Sequence, residues 1–390
     1  MGTSNPLRRF HEQAEATFLP YGPASRGGGA RGVEIVQTFQ AYEAEYAAIR
    51  KTVGVLDMPQ RGLVELRGGD RLDFLHRMTT HDTNSLKPGQ GRRAFLLNAK
   101  GRISADLIVL TGEDRTLLDL DAYQAETVTA ELDRLLFAED VQLQDVSDGS
   151  HHLALHGPGS VAVVNEAGSE TVAELKTLGH RNVTIDGHRC TVYRRDDAGS
   201  PALHLIAPVD GIEAVYRKLM EAVDWDPQRP DDEQTRATRR GRPIGWLAYN
   251  TARIEAQVPI YHIDFGPDSL PHETGPALLD EAVSFTKGCY VGQEIVARMQ
   301  NLGHPKKLLV GLKLVDDRMP IAGAQVLDAA EGCEGEVVGA VTSSTVSPLR
   351  GNVAVAIAMV KWGKHHEGTQ VQVPAEGQVA NAVVERLGSE

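Results

Sequence analysis

The residues best equipped for chemistry lie together in the line Phe285-Thr-Lys-Gly-Cys-Tyr-Val-Gly-Gln-Glu-Ile-Val-Ala-Arg298. The reactive form of a cysteine is the thiolate, which a nearby cation or a helix N-terminus favours. Spacing from about Gly292 to Gln300 predicts a helix, stopped by Gly303 and Pro305, with Glu294 and Arg298 in i,i+4 pairing. Cys289 would then stand just before a helix N-terminus and two residues after Lys287, and both would depress its pKa. The same letters also fit a buried cysteine in a glycine turn beside a surface ion pair, because free cysteines are commonly buried.

A second candidate is Asp106, in the run Arg102-Ile-Ser-Ala-Asp-Leu-Ile-Val-Leu110. Period-2 alternation puts Ser104, Asp106, Ile108 and Leu110 on one face of a strand. A carboxylate on a largely apolar face must be paired, or desolvation raises its pKa. Either state suits a group that hydrogen-bonds a ring system or steers a proton on a substrate nitrogen. The alternative is an edge position where Asp106 meets water.

The remaining candidates have plainer readings. Cys190, Cys289 and Cys333 are odd in number and widely separated. They form neither a disulfide framework nor a zinc knuckle, and fit a reducing cytoplasm. His151-His152 and His365-His366 are adjacent, so on a strand each pair points to opposite sides and chelates poorly; no metal is expected. His262 either faces a cavity or packs in the core, and Trp225, Trp246 and Trp362 read as core.

These residues need elements to hold them. With 390 residues, 41% hydrophobic and 24% charged, the chain is long enough for two or three domains with sizeable cores. A net charge of −13 argues against a general nucleic-acid binder. No apolar run approaches the roughly 20 residues that span a bilayer, and the N-terminus has no signal-like apolar stretch.

Ser25 to Gly32 is a glycine-rich loop. Helices are predicted over Phe39 to Lys51, Arg71 to Met78 with Asp70 as N-cap, Ala122 to Phe137 and Val161 to Leu178. Leu63 to Arg67 and His152 to His156 read as strands. Arg93 to Leu97 and Arg102 to Leu110 form a hairpin around Asn98-Ala-Lys-Gly101. Asp224 to Glu233 is a polar connection. Beyond Pro305 come short β-like runs at Lys307 to Lys313, Glu336 to Val341, Val353 to Val360, Gln370 to Val373 and Ala380 to Glu385, which predict an all-β C-terminal domain. Alternating helices and strands before it predict an α+β class.

Lys287-Gly-Cys-Tyr-Val-Gly-Gln-Glu294, followed by Val296-Ala-Arg298, resembles the signature of YgfZ-type folate-binding proteins, a branch of the aminomethyltransferase superfamily with relatives in iron–sulfur assembly. The likeness extends along most of the chain. Ala48-Ile-Arg-Lys-Thr-Val-Gly-Val-Leu-Asp57 is similar to an early superfamily element. Arg67 to Leu75 and Thr80-His-Asp82 resemble the next helix. Thr251-Ala-Arg-Ile-Glu-Ala256 resembles its Arg-Leu-Glu-Ala element, and Val341-Thr-Ser-Ser-Thr-Val-Ser-Pro348 a turn in its third domain. Two departures stand out. Of the family's paired aspartates the second, catalytic one falls on Asp106, while Ala105 replaces the first. The Gly-Tyr-Thr-Gly-Glu element of glycine-cleavage T-proteins is missing from Arg194 to His204.

The resemblance implies a three-domain cloverleaf around a central folate cavity. Residues 1–64, about 150–178 and 236–304 would form a discontinuous first α+β domain. Residues 65–149 with about 179–235 would form a second, and 305–390 a β-barrel. It further implies a cytoplasmic monomer that binds tetrahydrofolate and serves iron–sulfur client or assembly proteins. Asp106 and Cys289 would be the reactive groups, with Asp106, Arg253, Lys287, Gln293 and Arg298 on the folate side. Arg253 would meet the folate's glutamate tail, or else form an internal ion pair with Glu255. The alternative function is a folate-dependent aminomethyltransferase or demethylase that moves a one-carbon unit from an amine donor to tetrahydrofolate.

Overall fold

A computed structural model describes residues 5–22, 32–229, 239–329 and 335–388. Cys333, most of the glycine-rich loop and the end of the polar connection lie outside the described residues. The chain divides into two compact units. One takes Met1–Phe74, Asn84–Arg92 and Leu107–Tyr249; the other takes Leu75–Thr83, Arg93–Asp106 and Asn250–Glu390. Mixed helices and sheets with a closed C-terminal barrel make the fold α+β, as expected. Among the described residues no helix is long and apolar enough to cross a membrane.

The first unit is built on a six-stranded sheet with spatial order His180–Ile185, His188–Arg194, Ala202–Pro208, Ser150–His156, Gly54–Asp57 and Arg242–Ile244. The last pair is parallel and the others antiparallel. Period-2 alternation sends Leu153, Leu155, Leu203, Leu205, Cys190 and Val192 to one face. Helices Ser160–Ala167 and Ile212–Ala222 cover that face with Val163, Val164, Val215 and Leu219. Truncating one such leucine to alanine costs about 2–5 kcal/mol. The opposite face receives the even-numbered residues of the central strands, among them the buried His152, His156 and His204.

Two predicted helices are shorter than expected. The chain leaves the helix after Ala167 because Gly168 presses its bare Cα on Val183, and residues 168 and 177 then bridge to strands. The other helix covers only Ala125–Asp133. Its apolar pattern runs on through Leu135 and Phe137, but Phe137 is 90% exposed, so the periodicity outlasts the burial that would sustain a helix. Asp70 stands directly before the helix Arg71–Met78, and one oxygen of its carboxylate accepts from the Asp140 N–H.

The second unit carries the barrel, closed in the order Lys307–Leu314, Val353–Lys361, Val337–Ser347, Gln325–Asp328, Gln370–Ala375 and Gln378–Glu385. Gln325–Asp328 is too short to show a pattern and is the strand that sequence reading misses. Small residues fill the interior, with Ala354, Ala356 and Ala358 alternating inward beside Ala380 and Ala382. Val355 and Ile357, between them, point outward and join a second cluster. That cluster also holds Phe95, Leu97 and Ile103 of the predicted hairpin and Tyr290 and Val296 of the signature line. One hydrophobic body therefore seats both chemistry-bearing segments on the barrel's outer wall.

Candidate active site

Asp106 lies on the strand Ile103–Thr111, which follows Gln90–Leu97 across the Asn98–Gly101 turn. Its carboxylate receives two bonds from one guanidinium: Arg93 Nε at 2.9 Å and Nη2 at 2.6 Å. Arg93 Nη1 turns the other way, to Glu281 at 3.0 Å. The Arg93 side chain is 4% exposed and that of Asp106 13%. This is the pairing that a carboxylate on an apolar face requires, and its bidentate geometry fixes the carboxylate plane. Tyr261 holds the same strand by donating to the carbonyls of Ile103 and Ser104, both at 3.0 Å.

The signature line is tied to this hairpin by two glycines. Gly292 precedes the helix Gln293–Leu302 with a left-handed φ of 81°. A Cβ placed there would stand 2.8 Å from the Asn98 carbonyl and 3.1 Å from the Gly101 Cα. Gly101, with φ 68°, in turn leaves room for Ile295. Turn and helix start thus approach backbone to backbone, which only glycine permits.

Lys287 performs a third tie. Its ammonium donates to the carbonyls of His76, of Thr79 at 2.6 Å and of His81 at 3.2 Å, and it sits 4.8 Å over the Tyr290 ring. Three carbonyls at the end of the helix Arg71–Met78 form the negative end of its dipole, a natural seat for a lysine. Burial lowers the Lys287 pKa to about 8, against an opposing pull from Asp82. Lys287 is thereby bonded to backbone carbonyls, and Cys289 is not among its hydrogen-bond partners.

Cys289 itself is exposed, whereas Cys190 is buried, and burial pushes the Cys190 thiol up to about 12. Gln293 is half-buried in the first turn of the helix, and Arg298 is exposed on the second. Among the described residues no ion pair joins Glu294 to Arg298, so the expected i,i+4 pair is not formed.

Arg253 is 1% exposed and forms the internal ion pair, with a partner different from the expected one. Its Nη1 bonds Asp264 at 2.5 Å, Nη2 bonds Ser343 at 2.7 Å, and Nε bonds Asn250 at 2.9 Å. A register shift between Val341 and Ser343 turns Thr342 and Ser343 together onto Asp264, at 2.7 and 2.6 Å. Glu255 instead receives the Ser347 hydroxyl and the Leu349 N–H. The two sequence elements around Arg253 and Ser343 are thus halves of one buried polar joint. Asp264 was missed because nothing near it in sequence marks it. Arg93 was within reach, since the hairpin alone puts its strand beside that of Asp106.

Other readings change as well. His262 is exposed, at a φ of 69°, and not a core histidine. Trp362 is 39% exposed and stacks between His304 and His365. Trp225 and Trp246 are half-buried. His365 and His366 lie outside any strand, so their rings meet at 4.2 Å instead of diverging. His151 and His152 do diverge, toward Asp57 and Asp119 respectively.

With this geometry in hand, comparison with known proteins is decisive. Residues 9–287 match the GCVT N-terminal domain, and residues 307–387 match the glycine cleavage T-protein C-terminal barrel domain. The chain belongs to the glycine-cleavage T-protein family. It is 28% identical to an aminomethyltransferase of Halalkalibacterium halodurans, over 94% of this chain and 92% of that one. An aminomethyltransferase of Nostoc is also 28% identical, with 97% and 93% covered. The crystal structure of the glycine cleavage system aminomethyltransferase T from Bartonella henselae superposes with a TM-score of 0.82 at 26% identity, covering 100% of this chain and 98% of that one. These relatives establish the T-protein family and its fold for this chain. They do not single out the YgfZ-type branch, which rests on the signature line.

Proposed function

We propose that the protein binds tetrahydrofolate and moves a one-carbon unit from an amine donor onto it. The observation that carries this reading is the Asp106 carboxylate gripped at two points by Arg93, at a position where the sequence resemblance implies the family's second aspartate. A carboxylate so fixed is already oriented to accept from a pterin or to steer a proton on a donor nitrogen, which lowers the cost of reaching the reactive geometry. Replacement of the Gly-Tyr-Thr-Gly-Glu element by Arg194 to His204 separates this donor or its mode of binding from glycine cleavage. The test incubates the protein with tetrahydrofolate and either a methylated amine or lipoyl-protein-bound aminomethyl groups. Folate-dependent release of the amine is expected. Calorimetry should give a micromolar dissociation constant for the reduced folate, about −8 kcal/mol. No heat of binding up to millimolar folate would overturn the reading and leave a protein-interaction scaffold.

A second reading, favoured by the exposed Cys289 in its Gly-Cys-Tyr setting, is a folate-binding accessory factor for iron–sulfur enzymes. It predicts that Cys289→Ser, nearly isosteric at an exposed site, impairs cluster-dependent enzymes in cells while the purified variant keeps its fold and its folate affinity. Full activity of those enzymes with Cys289→Ser would remove this reading.

A further inference from the structure

On the sheet of the first unit, the face away from the helices carries a set of side chains that the proposed transfer does not use. His156 ends the strand Ser150–His156, and His204 lies on the adjacent antiparallel strand, where Ala202 is the partner of His156. The two histidines are therefore diagonal neighbours on one face, with ring centroids 5.8 Å apart. Asp197, from the connection between Arg194 and Ala202, brings its carboxylate between them. All three residues are buried, at 0%, 4% and 5% exposure for His156, His204 and Asp197.

Their spacing is the informative part. Asp197 Oδ1 is 3.4 Å from His204 Nε2 and 3.7 Å from His156 Nδ1. The Asp197 Oδ2 is likewise 3.4 Å from His204 Nε2. Charge-assisted hydrogen bonds close to about 2.7–2.9 Å. The same unit provides a control: Asp57 sits between His11 and His151 at 2.8 and 2.6 Å, with Asn5 at 2.7 Å. There the carboxylate has collapsed onto its imidazoles; at Asp197 it is held apart. Two ligands on one tetrahedral ion, each at about 2.0–2.2 Å, stand about 3.3–3.6 Å from each other.

His156 adds an independent observation. It is completely buried, and neither Nδ1 nor Nε2 has a hydrogen-bond partner. A buried imidazole left so is unfavourable unless something fills its lone pair. Tyr249 donates to Asp197 Oδ2 at 3.3 Å, and its ring lies tilted against that of His156 with centroids 5.1 Å apart.

We propose that His156, Asp197 and His204 form a buried site for one divalent transition-metal ion, bound as the first unit folds. The ligand atoms all lie within 4.8 Å of one another. Two imidazoles and one carboxylate suit zinc, cobalt, iron or manganese, and disfavour calcium and magnesium, which take oxygen ligands. The ion ties two neighbouring strands to the loop between Arg194 and Ala202, and three protein ligands leave its fourth position to a water. Local spacing could not reveal it, because the ligands come from positions 156, 197 and 204 and meet only through strand pairing.

The test uses the untagged full chain produced in defined medium with zinc(II) or cobalt(II), passed over a gel-filtration column in weak chelator. About one metal per chain is expected by elemental analysis. The cobalt protein should show visible ligand-field bands and paramagnetically shifted imidazole protons from two histidines. His204→Gln and His156→Gln should each fall below a tenth of an equivalent, while His366→Ala, at the exposed histidine pair, keeps the metal. Should the site variants not fold, the cobalt spectrum of the wild type decides alone. A folded wild-type protein without metal from either medium overturns the proposal. So does metal retained in folded His204→Gln. A metal-free wild type whose affinity for reduced folate falls more than tenfold in His204→Gln would assign the cluster to that ligand instead, and equally overturns it.

Discussion

Asp106→Asn tests the centre of the candidate site most directly. Asparagine keeps the shape but offers one acceptor oxygen, and it turns an amide N–H toward a guanidinium that can only donate. One of the two bonds from Arg93, at 2.9 and 2.6 Å, is therefore lost, and the other loses its charge assistance. Removing one partner of a fully buried pair costs about 3–5 kcal/mol. Here Glu281, 38% exposed, still accepts from Arg93 and moderates the loss. We expect about 2–3 kcal/mol of destabilisation, read as a lower urea midpoint at unchanged slope. Arg93→Met should cost a similar amount, and the double variant should cost less than the sum of the two, as coupled neighbours do. Turnover should fall by about a hundred-fold or more if Asp106 does acid–base work, while folate affinity changes by no more than about 1.5–3 kcal/mol, the worth of one charged hydrogen bond. A stability change below about 0.5 kcal/mol would refute the two-point pair. Unchanged turnover in a folded variant that binds folate would refute the catalytic assignment.

Three further expectations follow from other parts of the second unit and from the cysteines. Arg253→Met leaves Asp264 buried with hydroxyl and amide partners only, and should lower stability by about 3–5 kcal/mol in thermal unfolding; a change under 1 kcal/mol would mean the joint around Ser343 holds without its cation. Cys289 should be alkylated at least a hundred-fold faster than Cys190 at pH 8, because Cys190 is buried and its raised pKa leaves only roughly one thiolate in ten thousand; mass-resolved rates showing Cys289 slower would contradict its exposed placement. Lys287 has a folded pKa of about 8 against 10.5 for the free side chain. Between those values the unfolded chain holds a proton that the folded chain has lost, so its contribution makes stability rise with pH across that window. The slope difference between wild type and Lys287→Met from pH 8 to 10 should be positive, and equal slopes would show that Lys287 titrates normally.

The parts of this fold legible in sequence are those written in local pattern. The strand holding Asp106, the hairpin turn at Asn98–Gly101 and most barrel strands follow from alternation and turn chemistry, because each is dictated by residues within a few positions. Pairings across the fold were not legible. Asp264 meets Arg253 through a barrel bulge, and His156 meets Asp197 and His204 through strand register, which no spacing in the chain encodes. Helix ends failed where apolar periodicity ran beyond burial, at Leu135 and Phe137, or where a glycine stopped it, at Gly168. Exposure misled in a different way. Trp362 and His262 are residue types usually packed inside, but each sits in a turn region outside the strands, where the chain turns back toward solvent.

The signature line divides by what each letter does. Lys287 caps a helix end, Tyr290 is buried in the cluster against the barrel, and Gly292 permits contact with the Asp106 hairpin. Those three letters are fixed by architecture, and substituting them would misplace Asp106 whatever reaction the protein performs. Cys289, Glu294 and Arg298 are exposed, and no hydrogen bond or ion pair among the described residues engages their side chains. A solvent-facing cysteine, glutamate and arginine add little to a core, since surface groups away from such ties usually contribute within about 0.5 kcal/mol. Any function beyond what the family fold shares would therefore rest on the exposed letters, while the buried ones report only kinship of fold. It follows that loss of activity in Lys287→Met or Gly292→Ala cannot distinguish one-carbon transfer from service to iron–sulfur enzymes. Cys289→Ser and Arg298→Ala can, because they leave the hairpin, the helix and the grip on Asp106 in place.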